Sequence, residues 1–164
     1  MIERIEIPDP DAMHALGRRL GAALQAGDLV VLTGPLGAGK TTLTAGLGEA
    51  LGVRAPVTSP TFVLARTHPS LVGGPPLVHV DAYRLGSAAE LDDLDLDYAR
   101  AVVVVEWGEG LLDGVSDSLL EVLITPMRRG PDGGADPDDG IVEARSVELR
   151  RSGPRWAAAP PLLG

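Results

Sequence analysis

Apolar side chains along this chain fall into short runs separated by polar, Gly- and Pro-rich stretches, and the spacing within each run predicts an element. Ile2, Ile5 and Ile7 mark a short first strand with imperfect alternation. Asp11 stands where it would cap a helix running to residue 26, with Met13, Leu16, Leu20, Ala23 and Leu24 on one face. Residues 28–33 form a continuous apolar run, the pattern of a strand buried on both sides. A second helix is expected over 42–51, with Leu43, Leu47, Ala50 and Leu51 on one side and Gly52 as its stop. Residues 57–66 read as a loop leading into a strand, and 67–76, rich in Gly and Pro, as a hairpin connection. Strands follow at 77–81 and 102–105, with a polar, acidic helix at 87–98 between them. A final pair of strands is expected at 118–125 and 141–149. The Gly/Asp-rich stretch between that pair, 127–140, reads as a mobile loop, and the Ala/Pro-rich tail from 153 carries no pattern.

Between the run at 28–33 and the helix at 42–51 lie Gly34, Pro35, Leu36, Gly37, Ala38, Gly39, Lys40 and Thr41, followed by Thr42. They match G-x-x-x-x-G-K-[ST] in full, the phosphate-binding P-loop. Glycines let the backbone turn its N–H groups onto phosphate oxygens, and the helix behind presents its positive end. Lys40 supplies a compact ammonium where a planar guanidinium would not fit. It is the chain's only lysine; every other cationic side chain is Arg. Thr41 is placed to offer its hydroxyl to Mg2+. A Gly-rich turn matching by chance is the plainer alternative, and the strand before it and helix after it weigh against that.

Composition narrows the class. The 164 residues fit one domain, 1–152, with a flexible loop near 127–140 and an irregular tail at 153–164. Apolar residues make up 45% but aromatics only 3%, so the core must be aliphatic. The absence of cysteine excludes disulfides, thiolate nucleophiles and Cys-ligated metal centres. His14, His68 and His79 show no metal-ligand spacing. The N-terminus is charged and alternating, unlike a signal peptide, and runs such as 101–105 are too short to span a bilayer, so a cytoplasmic protein is expected. A formal charge of −9 opposes direct nucleic-acid binding and suits docking to a basic protein.

Strands alternating with helices around a phosphate loop predict an α/β fold of the P-loop NTPase type, a mainly parallel sheet flanked by helices on both faces. In such sheets ligands collect at the carboxyl ends of the strands. That rule brings together the loop at 34–42, Asp81 after 77–80, and Glu106 after four valines. An acid at a strand end is commonly just solvated. Two of them at the nucleotide edge match what the chemistry requires, an acid near magnesium and a group that orients the nucleophile. Glu106 is expected to act with Thr41 on Mg2+, and Asp81 to orient or activate water, although the residues support the pair more strongly than this division. Glu90, Asp92, Asp93, Asp95 and Asp97 read instead as a solvated face or docking surface. With no Asn and no second Lys, the guanine-reading N-K-x-D motif cannot be built. The one glutamine, Gln25, precedes the loop and cannot position water beyond it. ATP is therefore favoured over GTP.

With these residues in place, the chain resembles the bacterial TsaE (YjeE) family, P-loop ATPases of tRNA threonylcarbamoyladenosine synthesis. The likeness spans most of 11–112. It rests on residues 34–42, on Ser59-Pro60-Thr61-Phe62, on His79-Val80-Asp81-Ala82-Tyr83-Arg84-Leu85, and on Glu106-Trp107-Gly108-Glu109. The resemblance implies an ATP- and Mg2+-dependent hydrolase in which Thr58, Ser59, Pro60 and Thr61 form a switch-like loop. It implies that Asp81 and Glu106 are required acids and that Trp107 lies near the nucleotide. It also implies two protein partners, of the TsaB and TsaD type, which carry the transfer chemistry and through which tRNA is met indirectly. Pro35 departs from a frequent family acid, Ala82 from a larger apolar residue, and Gly108 from Pro or Ala. Two competing readings are a small-molecule kinase, for which Arg128 and Arg129 are the local lid candidates, and a nucleotide switch with negligible hydrolysis.

Overall fold

The computed structural model describes residues 2–35, 37–54, 57, 65–82, 96–107, 115–127 and 144–163. The expected helix at 87–98, the switch-like loop at 58–61 and the stretch 128–143 lie wholly or mostly outside them.

Alternation within the strands explains the layers. In β2 (Leu29–Thr33), Val30 and Leu32 face one side of the sheet, Leu29 and Val31 the other, and all four are buried. In β5 (Val102–Glu106), Val102 and Val104 share the first face, and Val103 and Val105 the second. The remaining strands are β1 (Ile2–Ile7), β3 (Ala65–His68), β4 (Leu77–Asp81), β6 (Leu119–Pro126) and β7 (Arg145–Ser152). The sheet has the order β1-β7-β6-β2-β5-β4-β3. Strands β6, β2, β5 and β4 are mutually parallel, while β7 is antiparallel to both β6 and β1, and β3 to β4. Five of the seven strands therefore run one way, giving the mainly parallel α/β sheet expected from the sequence.

Two helices, α1 (Pro10–Ala23) and α2 (Lys40–Leu51), pack on the first face. They approach unusually closely, and glycines make that possible. A Cβ on Gly17 would lie 2.1 Å from Leu43 O, and one on Gly46 would lie 2.2 Å from His14 O. Among the described residues, Leu96, Tyr98 and Val115 from outside the strands pack against the second face. No described helix is long and apolar enough to cross a membrane.

Several boundaries differ from the sequence pattern, each for a local reason. Helix α1 is capped by Asp9, whose carboxylate accepts the Ala12 N–H at 2.8 Å, with Pro10 behind it in the first turn. Asp11 lies inside that turn. The helix ends at Ala23, because Leu24 turns extended and the Gln25 N–H donates to Asp28. Helix α2 begins two residues early, at the loop lysine itself. Strand β7, Arg145–Ser152, runs three residues past the expected end at 149, since its inner positions are Val147, Leu149 and the buried Arg151; residues 141–143 lie outside the described residues. Arg151 donates to Pro160 O at 2.8 Å and lies 3.4 Å from the Glu3 carboxylate. Glu3 in turn accepts the N–H groups of Leu162 and Leu163, so the residues after α3 (Pro154–Ala157) lie against β1 and β7.

Candidate nucleotide site

Strand β2 ends at Thr33 and the chain passes directly into the loop. Gly37 and Gly39 have φ of 78° and 108°, in the left-handed region where a side chain would strain the backbone. The Ala38 N–H donates to Pro35 O at 3.1 Å and tightens the turn; Leu36 lies outside the described residues. Leu43 N donates to Gly39 O at 2.9 Å, in the first turn of α2. The N–H groups of Lys40, Thr41 and Thr42 precede that bond, and no side chain caps the helix. This is the positive end at which anions collect. Thr41 is exposed and Thr42 half-buried.

The two acids come from neighbouring parallel strands. Asp81 ends β4, Glu106 ends β5, and the register pairs them directly. By alternation both project on the face that carries α2, together with His79 one step back along β4. Glu106 is only 4% exposed, whereas Asp81 is half-buried. Lys40 is 7% exposed, and its ammonium donates to Gly34 O at 2.8 Å. Burial lowers the lysine pKa, with the Glu106 and Asp81 charges opposing the shift. The cation thus sits in the field of both acids, within a loop of its own backbone.

Trp107 completes this end. Its ring centroid is 3.5 Å from Lys40 Nζ, a cation–π contact. It is the one non-glycine described residue with positive φ, at 62°, and its N–H points to Leu32 O at 3.4 Å. Such a backbone needs surroundings that enforce it. Sequence reasoning missed Arg145. From β7 it reaches across to the loop, donating from Nε to Ala38 O at 3.2 Å and from Nη2 to Gly37 O at 3.4 Å. It also lines a cavity of about 130 Å3 with Asp9, Pro10, Met13, Gly37 and Thr42. Nothing in the local sequence marks Arg145, since its partners stand more than a hundred positions away.

The donor set fits a magnesium ion. Two carboxylates and a threonine hydroxyl offer hard oxygens, and no described cluster of three or more His, Asp or Glu forms an all-protein metal cage. Mg2+ characteristically takes one or two carboxylates and fills its remaining positions with water and phosphate oxygens. Glycines at positive φ followed by an uncapped helix fit the phosphates themselves.

A glycine loop between a central parallel strand and a helix, with paired acids ending the next two strands of the sheet, defines a P-loop-type nucleotide-binding fold. The family model for "Threonylcarbamoyl adenosine biosynthesis protein TsaE" matches residues 7–130. The chain belongs to the TsaE family. It is 56% identical over 150 residues to the tRNA threonylcarbamoyladenosine biosynthesis protein TsaE of Streptomyces coelicolor, covering 90% of this chain and 95% of that protein. The Bacillus subtilis protein of the same name is 35% identical over 127 residues, 76% of this chain and 77% of that one. In three dimensions the chain is similar to the crystal structure of Bacillus subtilis YdiB, with a TM-score of 0.65 and 27% identity over 94% of this chain and 88% of the other.

Proposed function

We propose that this chain is the Mg2+-dependent ATP-binding and ATP-hydrolysing component of the cytoplasmic machinery that makes N6-threonylcarbamoyladenosine in tRNA. The observation that carries the reading is the placement of the Lys40 ammonium at the head of α2, facing Glu106 and Asp81 in register on adjacent strands. The loop N–H groups and Lys40 would hold the β- and γ-phosphates, and a cavity lined by Gly37, Thr42 and Arg145 opens beside the loop. Glu106, the more buried acid, acts with Thr41 to hold the metal. Asp81, more open to solvent, orients the attacking water and accepts its proton. Magnesium, when bound, neutralises charge across the β- and γ-phosphates.

Hydrolysis by the chain alone is slow, and turnover is coupled to two protein partners of the TsaB and TsaD type. The charge of −9 supports this division of labour, since an acidic chain meets tRNA only through basic partners. Residues 58–61 are the segment proposed to sense the γ-phosphate. The test is ATP hydrolysis by wild type, Glu106→Gln and Asp81→Asn, each with and without the partner pair. Glu106→Gln is expected to raise the magnesium requirement. Asp81→Asn is expected to bind ATP normally and hydrolyse it about 100-fold more slowly or worse. Wild-type rates in both variants would refute the assignment, and phosphate appearing on a small metabolite would mark a kinase instead.

A further inference from the structure

His79 has no place in the chemistry above, yet its environment is costly. It is fully buried, and neither Nδ1 nor Nε2 has a hydrogen-bond partner. A neutral imidazole carries one N–H, and leaving that donor unpaired away from water is unfavourable. Its neighbours in the sheet are Val104 on β5 and Arg66 on β3, so the strand offers many ways to fill the position with an aliphatic residue. One acceptor stands close. Glu106 Oε2 lies 3.5 Å from His79 Nε2, just beyond hydrogen-bond length. Glu106 itself is 4% exposed, so few groups can fix the rotation of its carboxylate.

We propose that His79 is a positioning residue for Glu106: its Nε2–H holds Oε2, which leaves Oε1 as the oxygen presented to the metal. The inference rests on the proposed role of Glu106 toward magnesium. Closing the contact by about half an ångström would make a hydrogen bond of ordinary length. A histidine behind a carboxylate is the mirror of the carboxylate behind a metal-bound histidine. In both arrangements the outer group fixes the orientation of the inner one.

Calorimetric titration with a non-hydrolysable ATP analogue, across a series of Mg2+ concentrations, tests this without reading activity. His79→Leu is expected to raise the Mg2+ concentration for half-maximal enhancement of binding about 10-fold, the lower end for loss of an outer partner. Affinity without Mg2+ should stay within about 2-fold of wild type, since the phosphate loop is untouched. His79→Gln, whose amide nitrogen overlays Nε2, should retain the wild-type requirement. His79→Asn, whose nitrogen overlays Nδ1, should behave as Leu does. The Gln and Asn pair decides the matter even if the Leu variant fails to fold. Equal Mg2+ requirements in Gln and Asn variants, or parallel losses with and without Mg2+, would make His79 a packing residue and overturn the inference. Glu106→Gln separates the two levels. If it shifts the Mg2+ requirement and the His79 series does not, only this inference falls; if it shifts nothing, the role of Glu106 falls and the inference with it.

Discussion

The start of β2 and its end handle buried charge in opposite ways. At the start, Asp28 is 5% exposed and saturated with donors. Arg155 approaches it through Nε and Nη2 at 2.8 and 3.1 Å, and the Gln25 N–H adds a third bond at 2.8 Å. The same guanidinium also donates to Ala23 O at 2.9 Å, tying the end of α1 to the sheet. At the other end, the Lys40 ammonium has a backbone carbonyl, an aromatic face and the more distant field of two acids. The His79 imidazole, 3.5 Å from Glu106, has no hydrogen-bond partner on either nitrogen. One end has its electrostatics completed by the protein. The other has them arranged around charges that a triphosphate and a cation would satisfy. Stability and binding are thus separated along one strand.

Arg155→Ala gives the largest expected effect on that contrast. Removing the half-buried, two-pronged partner of a buried carboxylate strands Asp28, and the chain should lose about 3 kcal/mol of unfolding free energy in denaturant titration. ATP affinity of the folded fraction should not change. Lys40→Met should do the reverse. Affinity for ATP should fall about 10- to 100-fold, as expected for a lost charge-assisted hydrogen bond. Unfolding free energy should change little, because relief of the buried ammonium is offset by loss of its attraction to Glu106 and Asp81. A Lys40→Met variant as destabilised as Arg155→Ala would erase the distinction between the two ends.

Trp107 offers a spectroscopic version of the comparison. A phosphate that engages Lys40 must alter the 3.5 Å contact with the indole, whereas Trp156 is buried beside Arg155 at the stable end. Titration with ATP should change tryptophan emission, and Trp107→Phe should abolish the change while leaving the Trp156 signal. A ligand response that survives in Trp107→Phe would place the rearrangement elsewhere.

The smallest effect expected is on pH dependence. Burial, with His79 and Arg66 adding to it, lowers the His68 pKa below its usual 6.5. The unfolded chain then binds more protons than the folded one just below that value. Stability from this group is complete above about pH 6.5 and is lost as pH falls toward the lowered value, with a slope of no more than one proton. His68→Phe should flatten that slope in thermal melts. Across the sheet, Glu148 is held below the usual carboxylate range by hydrogen bonds from Arg4 and Arg150, so its contribution persists until more acid conditions. An unchanged slope in His68→Phe would assign the loss to another group.

Much of the site was legible because its parts are local. The loop glycines, Lys40 and Thr41 are consecutive, and Asp81 and Glu106 each close an apolar run, so a rule about strand ends was enough to place them at one edge. The rule did not say that β4 and β5 are neighbours, nor that their terminal acids stand in register. Helix α1 was legible as an apolar stripe, but its cap was not: the pattern pointed to Asp11, and the extended backbone at Asp9 shows that the helix starts two residues earlier. Strand β7 was misplaced because Arg151 occupies an inward position where the pattern calls for an apolar residue. Glu3 and two carbonyls of the following segment make that burial tolerable, and neither is visible from the strand itself.

The phosphate loop, its flanking strand and helix, the two strand-end acids and the α/β class were legible along the chain, because each is written as a short local pattern of residue types. The strand order, the glycine-to-backbone contact of α1 and α2, the reach of Arg145 to the loop, the register of the two acids and the approach of His79 to Glu106 emerged with the packed fold. It also joined Arg155 to Asp28 across 127 positions. Those contacts depend on which surfaces meet once the apolar faces are buried, and a polar side chain looks the same in the sequence whether it ends in water or against a partner.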